Sequence, residues 1–210
     1  GTLGAAGAVI QLALALWLAP SLALLLALVW AYLALMSKEF LVGGRLKRYP
    51  VVYLLSHMAI VPLVDLYATA CDWWPAGAVP SGLTWFVLAS YGNGIVLELG
   101  RKVRAPADEE SGVDTYSRLW GRRNAALAWL GALLLTAACA TAAAGRVGFS
   151  LPVGGLLAIL FCAAGWTAWR FLRAPGPGRG KRIETLSAVW TLVLYLGLGV
   201  GPLLWRWLSA

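Results

Sequence analysis

The chain has 210 residues, 60% of them hydrophobic and only 12% charged, with a net charge of +8. A soluble domain of this length would carry about 25% charge, so the composition excludes one and predicts an integral membrane protein. The basic excess does not indicate nucleic acid, because Lys and Arg sit in short loops between apolar runs.

Residues 3–36 form a nearly uncharged run. As one helix it would be about 51 Å long, against a hydrocarbon core of roughly 30 Å. Pro20-Ser21 divides it into spans at 3–19 and 21–36, a tight helical hairpin. The loop 37–50 carries Lys38, Glu39, Arg45, Lys47 and Arg48, with a Gly43-Gly44 turn. A third span at 51–70 contains His57, Pro62 and Asp65, and the connection 71–82 places two tryptophans at a membrane interface. A fourth span, 83–99, runs into the stretch 93–117, NGIVLELGRKVRAPADEESGVDTYS. Further spans are expected at 124–144 and 150–170, and at 185–205 after the loop APGPGRGKR.

Seven alternating spans leave only Arg146 and Arg206 of the 17 Lys and Arg on one side. The positive-inside rule therefore puts the N-terminus and the charged loops in the cytoplasm, and the C-terminus outside. The fold class is an all-α polytopic helical bundle of about seven transmembrane helices, one domain over residues 1–210, since the long apolar runs lack a barrel's alternation. Glycine at position 1 leads us to expect a chain truncated at its N-terminus.

The stretch 93–117 gathers both charge signs more densely than any other part of the chain. On a helix Glu98 lies at i,i+3 and i,i+4 to Arg101 and Lys102; Pro106 should end that helix, and Gly112 permits a turn after the acidic run. One reading is a solvated loop with local salt bridges. The sharper one is a site for a divalent cation and a phosphorylated substrate, since hard cations want carboxylates and phosphates want guanidinium and ammonium groups.

His57, Asp65, Asn93 and Glu98 lie in or at the ends of spans, where ionisable and polar groups need partners or a polar cavity. For His57 a helix-to-helix hydrogen bond competes with a place in the cavity, and for Asp65 a pairing with Tyr or Trp is preferred. Lys38 either snorkels at the cytoplasmic end of its span or binds phosphate there. Trp205-Arg206-Trp207 reads as an interfacial anchor, and Gly197 and Gly201 as a close helix contact. Cys71, Cys139 and Cys162 are isolated, without a CxxC pair. No GxxxxGK[ST], GxSxG or HExxH motif occurs.

The run DEESGVDTYSRLWGRRNA resembles the second conserved region of UbiA-type intramembrane prenyltransferases, with Asp108, Gly112, Thr115, Gly121, Arg122 and Ala125 at the matching positions. The segment from Glu98 to Glu109, with LMSKEF (35–40) and YLLSHMAIVPLVDLYATACDW (53–73), looks like a divergent bacterial branch. The resemblance implies a nine-helix fold, of which the seven spans would be helices three to nine, in the bacterial inner membrane. It implies Mg²⁺ on Glu98, Asp108 and Glu109, and a prenyl diphosphate held by Lys38, Arg101, Lys102 and Arg104. His57 and Asn93 would line the cavity, and a small-molecule or lipid acceptor would receive the isoprenyl group.

Two departures stand out. Arg101 and Arg104 occupy positions where the family's second motif carries aspartates, and no first aspartate-rich motif occurs within residues 1–210, so it would lie upstream. The chain by itself is therefore expected to be inactive. The competing class is a non-catalytic membrane protein, a small-molecule transporter or a lipid-binding scaffold. A transporter would gather its polar groups near the bilayer midplane, whereas here they concentrate at one end.

Overall fold

The computed structural model describes residues 2–209, and among them every regular element is a helix. Gly1, expected on the cytoplasmic side, lies outside the described residues. Contacts divide the chain into two compact units, Gly1–Ser81 and Gly82–Ala210.

In the first unit, α1 (Thr2–Leu18) and α2 (Leu22–Ser37) form the hairpin expected at Pro20-Ser21. A short α3 (Gly43–Leu46) leads to α4 (Pro50–Met58) and α5 (Ile60–Trp73). The expected third span is therefore interrupted at Ala59. Pro62 has no N–H to give the Met58 carbonyl, and its ring crowds that oxygen, so the ladder opens there. Ala15, Leu22, Leu26 and Ala70 form the core, with Trp30, Tyr67 and Trp73 against it. Trp74 closes the α1–α2 turn by donating from Nε1 to Ser21 Oγ at 2.8 Å.

Between α2 and α3 the backbone takes an uncommon path: Glu39, Phe40 and Leu41 have φ of 51°, 53° and 61°. No glycine relieves this left-handed run. It is held by Lys47 Nζ on Glu39 Oε1 at 2.8 Å and by the Phe40 ring, set edge-on between Tyr32 and His57.

The second unit contains α6 (Leu83–Lys102), α7 (Tyr116–Trp120), α8 (Arg122–Gly145), α9 (Ser150–Arg173), α10 (Arg179–Leu198) and α11 (Val200–Ser209). Alanine-rich α8 buries Ala126, Trp129, Leu133, Thr136, Ala140 and Ala144, a stripe at helical spacing. Two glycines of α6 allow close crossings. A Cβ on Gly92 would run into Thr136 of α8, and one on Gly100 into Ser187 of α10. Ser187 anchors a buried polar layer: Trp129 Nε1 donates to its Oγ at 2.9 Å, and that hydroxyl donates to the Ile183 carbonyl at 2.9 Å.

Three helical stretches among the described residues are long and apolar enough to cross a membrane: Pro50–Trp73, Arg122–Gly145 and Ser150–Arg173. A fourth arises if α10 and α11, bent by 42° at Gly199, count as one broken span. Leu135, Leu151, Ile159, Trp166, Trp205 and Trp207 are exposed, an apolar surface suited to lipid. Long apolar helices with such an exterior make this a membrane protein. Of the seven expected spans, those at α1 and α2, only 17 and 16 residues long, and at α6 are not among these candidates.

Candidate functional site

The charged stretch lies where α6 ends. Glu98 is still on the helix and buried at 8% exposure. Its carboxylate is shared between two cations of its own helix, Arg101 Nη2 at 2.6 Å and Lys102 Nζ at 2.9 Å. The Lys102 ammonium also lies 5.6 Å from the Tyr116 ring centroid. The helix stops at Val103, which is extended, three residues before Pro106.

From there the chain is tied to α10. Asp108, in the short 3₁₀ turn Pro106–Asp108, accepts the Gly178 N–H at 2.9 Å. Gly178 has φ 72° and stands at the N-terminus of α10, where the helix dipole favours a carboxylate. Gly180 packs directly under the Val103 carbonyl. Arg104 Nη2 approaches Glu184 Oε2 at 3.5 Å; this is an ion pair rather than a hydrogen bond, and Oε2 has no other partner. The other oxygen of Glu184 takes Lys181 at 3.1 Å.

The acidic run folds back through a turn at Gly112, whose φ of 82° requires glycine's freedom. Thr115 then caps α7 by accepting the Arg118 N–H at 3.2 Å. Its hydroxyl proton goes to Glu109, whose two oxygens lie 2.6 and 2.7 Å away. Ser117 Oγ accepts the Arg104 N–H at 2.8 Å. Replacing Thr115 by Ala should therefore cost about 1 kcal/mol, the usual worth of such a cap. Thermal unfolding of the purified protein in detergent checks this, with Thr115→Ser expected to restore the wild-type midpoint; equal midpoints for Ala and wild type would remove Thr115 as the organiser of this turn.

These ties surround a cavity of about 400 Å³ lined by Arg104, Glu109, Ser117, Arg118, Gly121 and Arg122. A second, of about 660 Å³, shares Gly121 and Arg122 and adds Trp120, Arg123, Asn124 and Leu172. Arg104, Arg118 and Arg122 against Glu109 give the first a basic lining, with Arg104 also drawn toward Glu184.

The expected site residues separate into groups. Glu98, Arg101 and Lys102 form one closed ion cluster, while Arg104 and Glu109 line the arginine cavity and Asp108 is spent on α10. The implied Mg²⁺ set of Glu98, Asp108 and Glu109 does not converge. Each carboxylate satisfies a different partner, and no three acidic, His or Cys side chains among the described residues are grouped to hold a metal ion. As arranged, these residues do not fit Mg²⁺.

Asn93 is buried between α6 and α10, its Oδ1 3.1 Å from the Thr191 hydroxyl and its Nδ2 without a protein partner. Lys38 and His57 belong to the first unit. Lys38 is exposed at the C-cap of α2. His57 donates from Nδ1 to the Tyr53 carbonyl at 2.9 Å, within its own helix, and stacks on the Tyr53 ring at 3.9 Å. The bond expected to cross to another helix is thus satisfied one turn back. Sequence reasoning did not assign Arg118, Gly178, Gly180 or Glu184 to the site. Glu184 stands three residues after Lys181, a helical ion-pair spacing that could have drawn attention to it.

No family model, curated protein or solved structure matches this chain.

Proposed function

We propose that the chain is part of an intramembrane prenyltransferase and that its second unit holds the diphosphate of an isoprenyl donor. The observation that carries this reading is the cavity of Arg104, Arg118 and Arg122 at the end of long apolar helices. Guanidinium groups offer paired donors in the geometry phosphate oxygens accept. Apolar helices beside them suit a hydrocarbon chain that must stay out of water. When the allylic carbon–oxygen bond breaks, negative charge grows on the departing diphosphate, and fixed arginines stabilise that charge more than they stabilise the intact donor. The allylic carbon is then captured by a small-molecule or lipid acceptor. In this reading α1, α2, α4 with α5, α6, α8, α9 and α10 with α11 are the seven spans. At 17 residues α1 is about 26 Å long, close to a thin bilayer core.

Calorimetric titration of farnesyl thiodiphosphate into the protein in phosphatidylcholine nanodiscs tests the proposal. Wild type should bind, and the double variant Arg118→Gln/Arg122→Gln should bind on the order of 100-fold more weakly or worse, given the worth of two hydrogen bonds to charged groups. Arg118 is exposed and Arg122 half-buried, so the thermal midpoint should change little. Equal affinity in wild type and double variant would refute the arginine site. Binding of any anionic phospholipid in place of the thiodiphosphate would favour a lipid-binding scaffold.

A further inference from the structure

The acidic residues beside the arginine cavity are committed to holding it together. Asp108 reaches an element 70 residues away and seats its carboxylate on the N-terminal end of α10. Glu109 is the one carboxylate lining the cavity, and both its oxygens face the Thr115 hydroxyl, which in turn fixes the backbone of Arg118. Glu98 is closed off by Arg101 and Lys102. A hard cation needs several oxygens converging on one point. Here each carboxylate points to a different neighbour, and the neighbours of Asp108 and Glu109 lead to parts of the arginine site.

We infer that in this unit the phosphates of the ligand are bound by arginine without a bridging divalent cation, and that Asp108 and Glu109 are positioning residues for Arg104 and Arg118. The inference rests on the reading of the cavity as a diphosphate site. Its chemical logic is electrostatic: Arg118 and Arg122 against Glu109, with Arg104 also paired to Glu184 at 3.5 Å, leave the cavity lining net positive and attractive to a diphosphate. Asp108 acts through position. Its bond to Gly178, the contact of Gly180 under Val103 and the Arg104–Glu184 pair hold residues 103–108 against α10. Arg104 leaves this tied segment to line the cavity.

The test is titration of farnesyl thiodiphosphate into the full chain in nanodiscs, once with EDTA and once with excess Mg²⁺. Affinities should agree within about twofold. Asp108→Asn keeps an oxygen that can accept the Gly178 N–H, so it should bind like wild type in both buffers. Asp108→Ala removes that acceptor, so it should weaken binding equally in both and speed amide exchange over residues 103–109 and 176–182. Binding by wild type only when Mg²⁺ is present would overturn the inference and leave the diphosphate reading standing. So would an Asp108→Asn variant that loses binding in Mg²⁺. Absence of binding in either buffer would remove the diphosphate reading itself, and the inference with it. If Asp108→Ala does not fold, the two wild-type titrations still decide.

Discussion

Replacing Glu98 by Gln should destabilise the protein by about 2–3 kcal/mol, one of the larger effects available to a single polar substitution here. The carboxylate is 8% exposed and holds two cations at 2.6 and 2.9 Å. Glutamine keeps the shape but turns an amide N–H toward a group that can only donate. The two cations would respond differently. The Arg101 side chain is 61% exposed and recovers water on losing its partner; that of Lys102 is 26% exposed, lies beside the Tyr116 ring and recovers less. For that reason the cost should fall below the roughly 3–5 kcal/mol of breaking a fully buried pair. In a protein of this size it should lower the thermal midpoint by on the order of 5–10 °C. Arg101→Gln should cost no more than about 1 kcal/mol, as expected for an exposed partner. Thermal unfolding of both variants in the same detergent measures the difference. An unchanged midpoint for Glu98→Gln would show that the cluster contributes nothing to the fold and reopen Glu98 as a ligand.

That cluster was legible in the sequence because it is local. Glu98, Arg101 and Lys102 are three and four residues apart on one helix, and helical spacing alone pairs them. Pro20, Pro106 and Gly112 likewise acted where they stand, dividing a hairpin, following a helix end and permitting a left-handed turn. The sequence also contained Pro62, yet the break it causes falls three residues earlier and was read as uninterrupted span. What sequence reasoning could not reach were partnerships without a period. Nothing in ADEE identifies an amide in APGPGRG as the partner of Asp108, and nothing in the spacing separates the arginines that line the cavity from those that face solvent. The Mg²⁺ set implied by the resemblance is not gathered in space for the same reason: the chain bends between Glu98, Asp108 and Glu109 and sends each to a different neighbour.

The tie between the two loops predicts its own weak point. Gly180→Val should loosen residues 103–109 from α10 and destabilise the second unit by about 1–3 kcal/mol, the usual range for forcing extra carbon into a packed contact. A Cβ at position 180 would stand 2.6 Å from the Val103 carbonyl oxygen and 3.1 Å from the Arg104 Cα. Both are backbone atoms, so no side-chain rotation relieves the clash and the loop itself must move. That movement would pull Asp108 off the Gly178 N–H and shift Arg104, one of the three arginines of the cavity. Stability and anion affinity should therefore fall together. Gly176→Ala is the control from the same loop: its Cβ would meet only the Arg179 Nε, at 3.9 Å, and it should behave as wild type. Hydrogen exchange resolved by segment provides the readout, with faster exchange expected over 103–109 in Gly180→Val alone. If Gly180→Val matched Gly176→Ala in midpoint, exchange and farnesyl thiodiphosphate affinity, the loop would not be held by α10, and the arginine cavity would lack the support assigned to it.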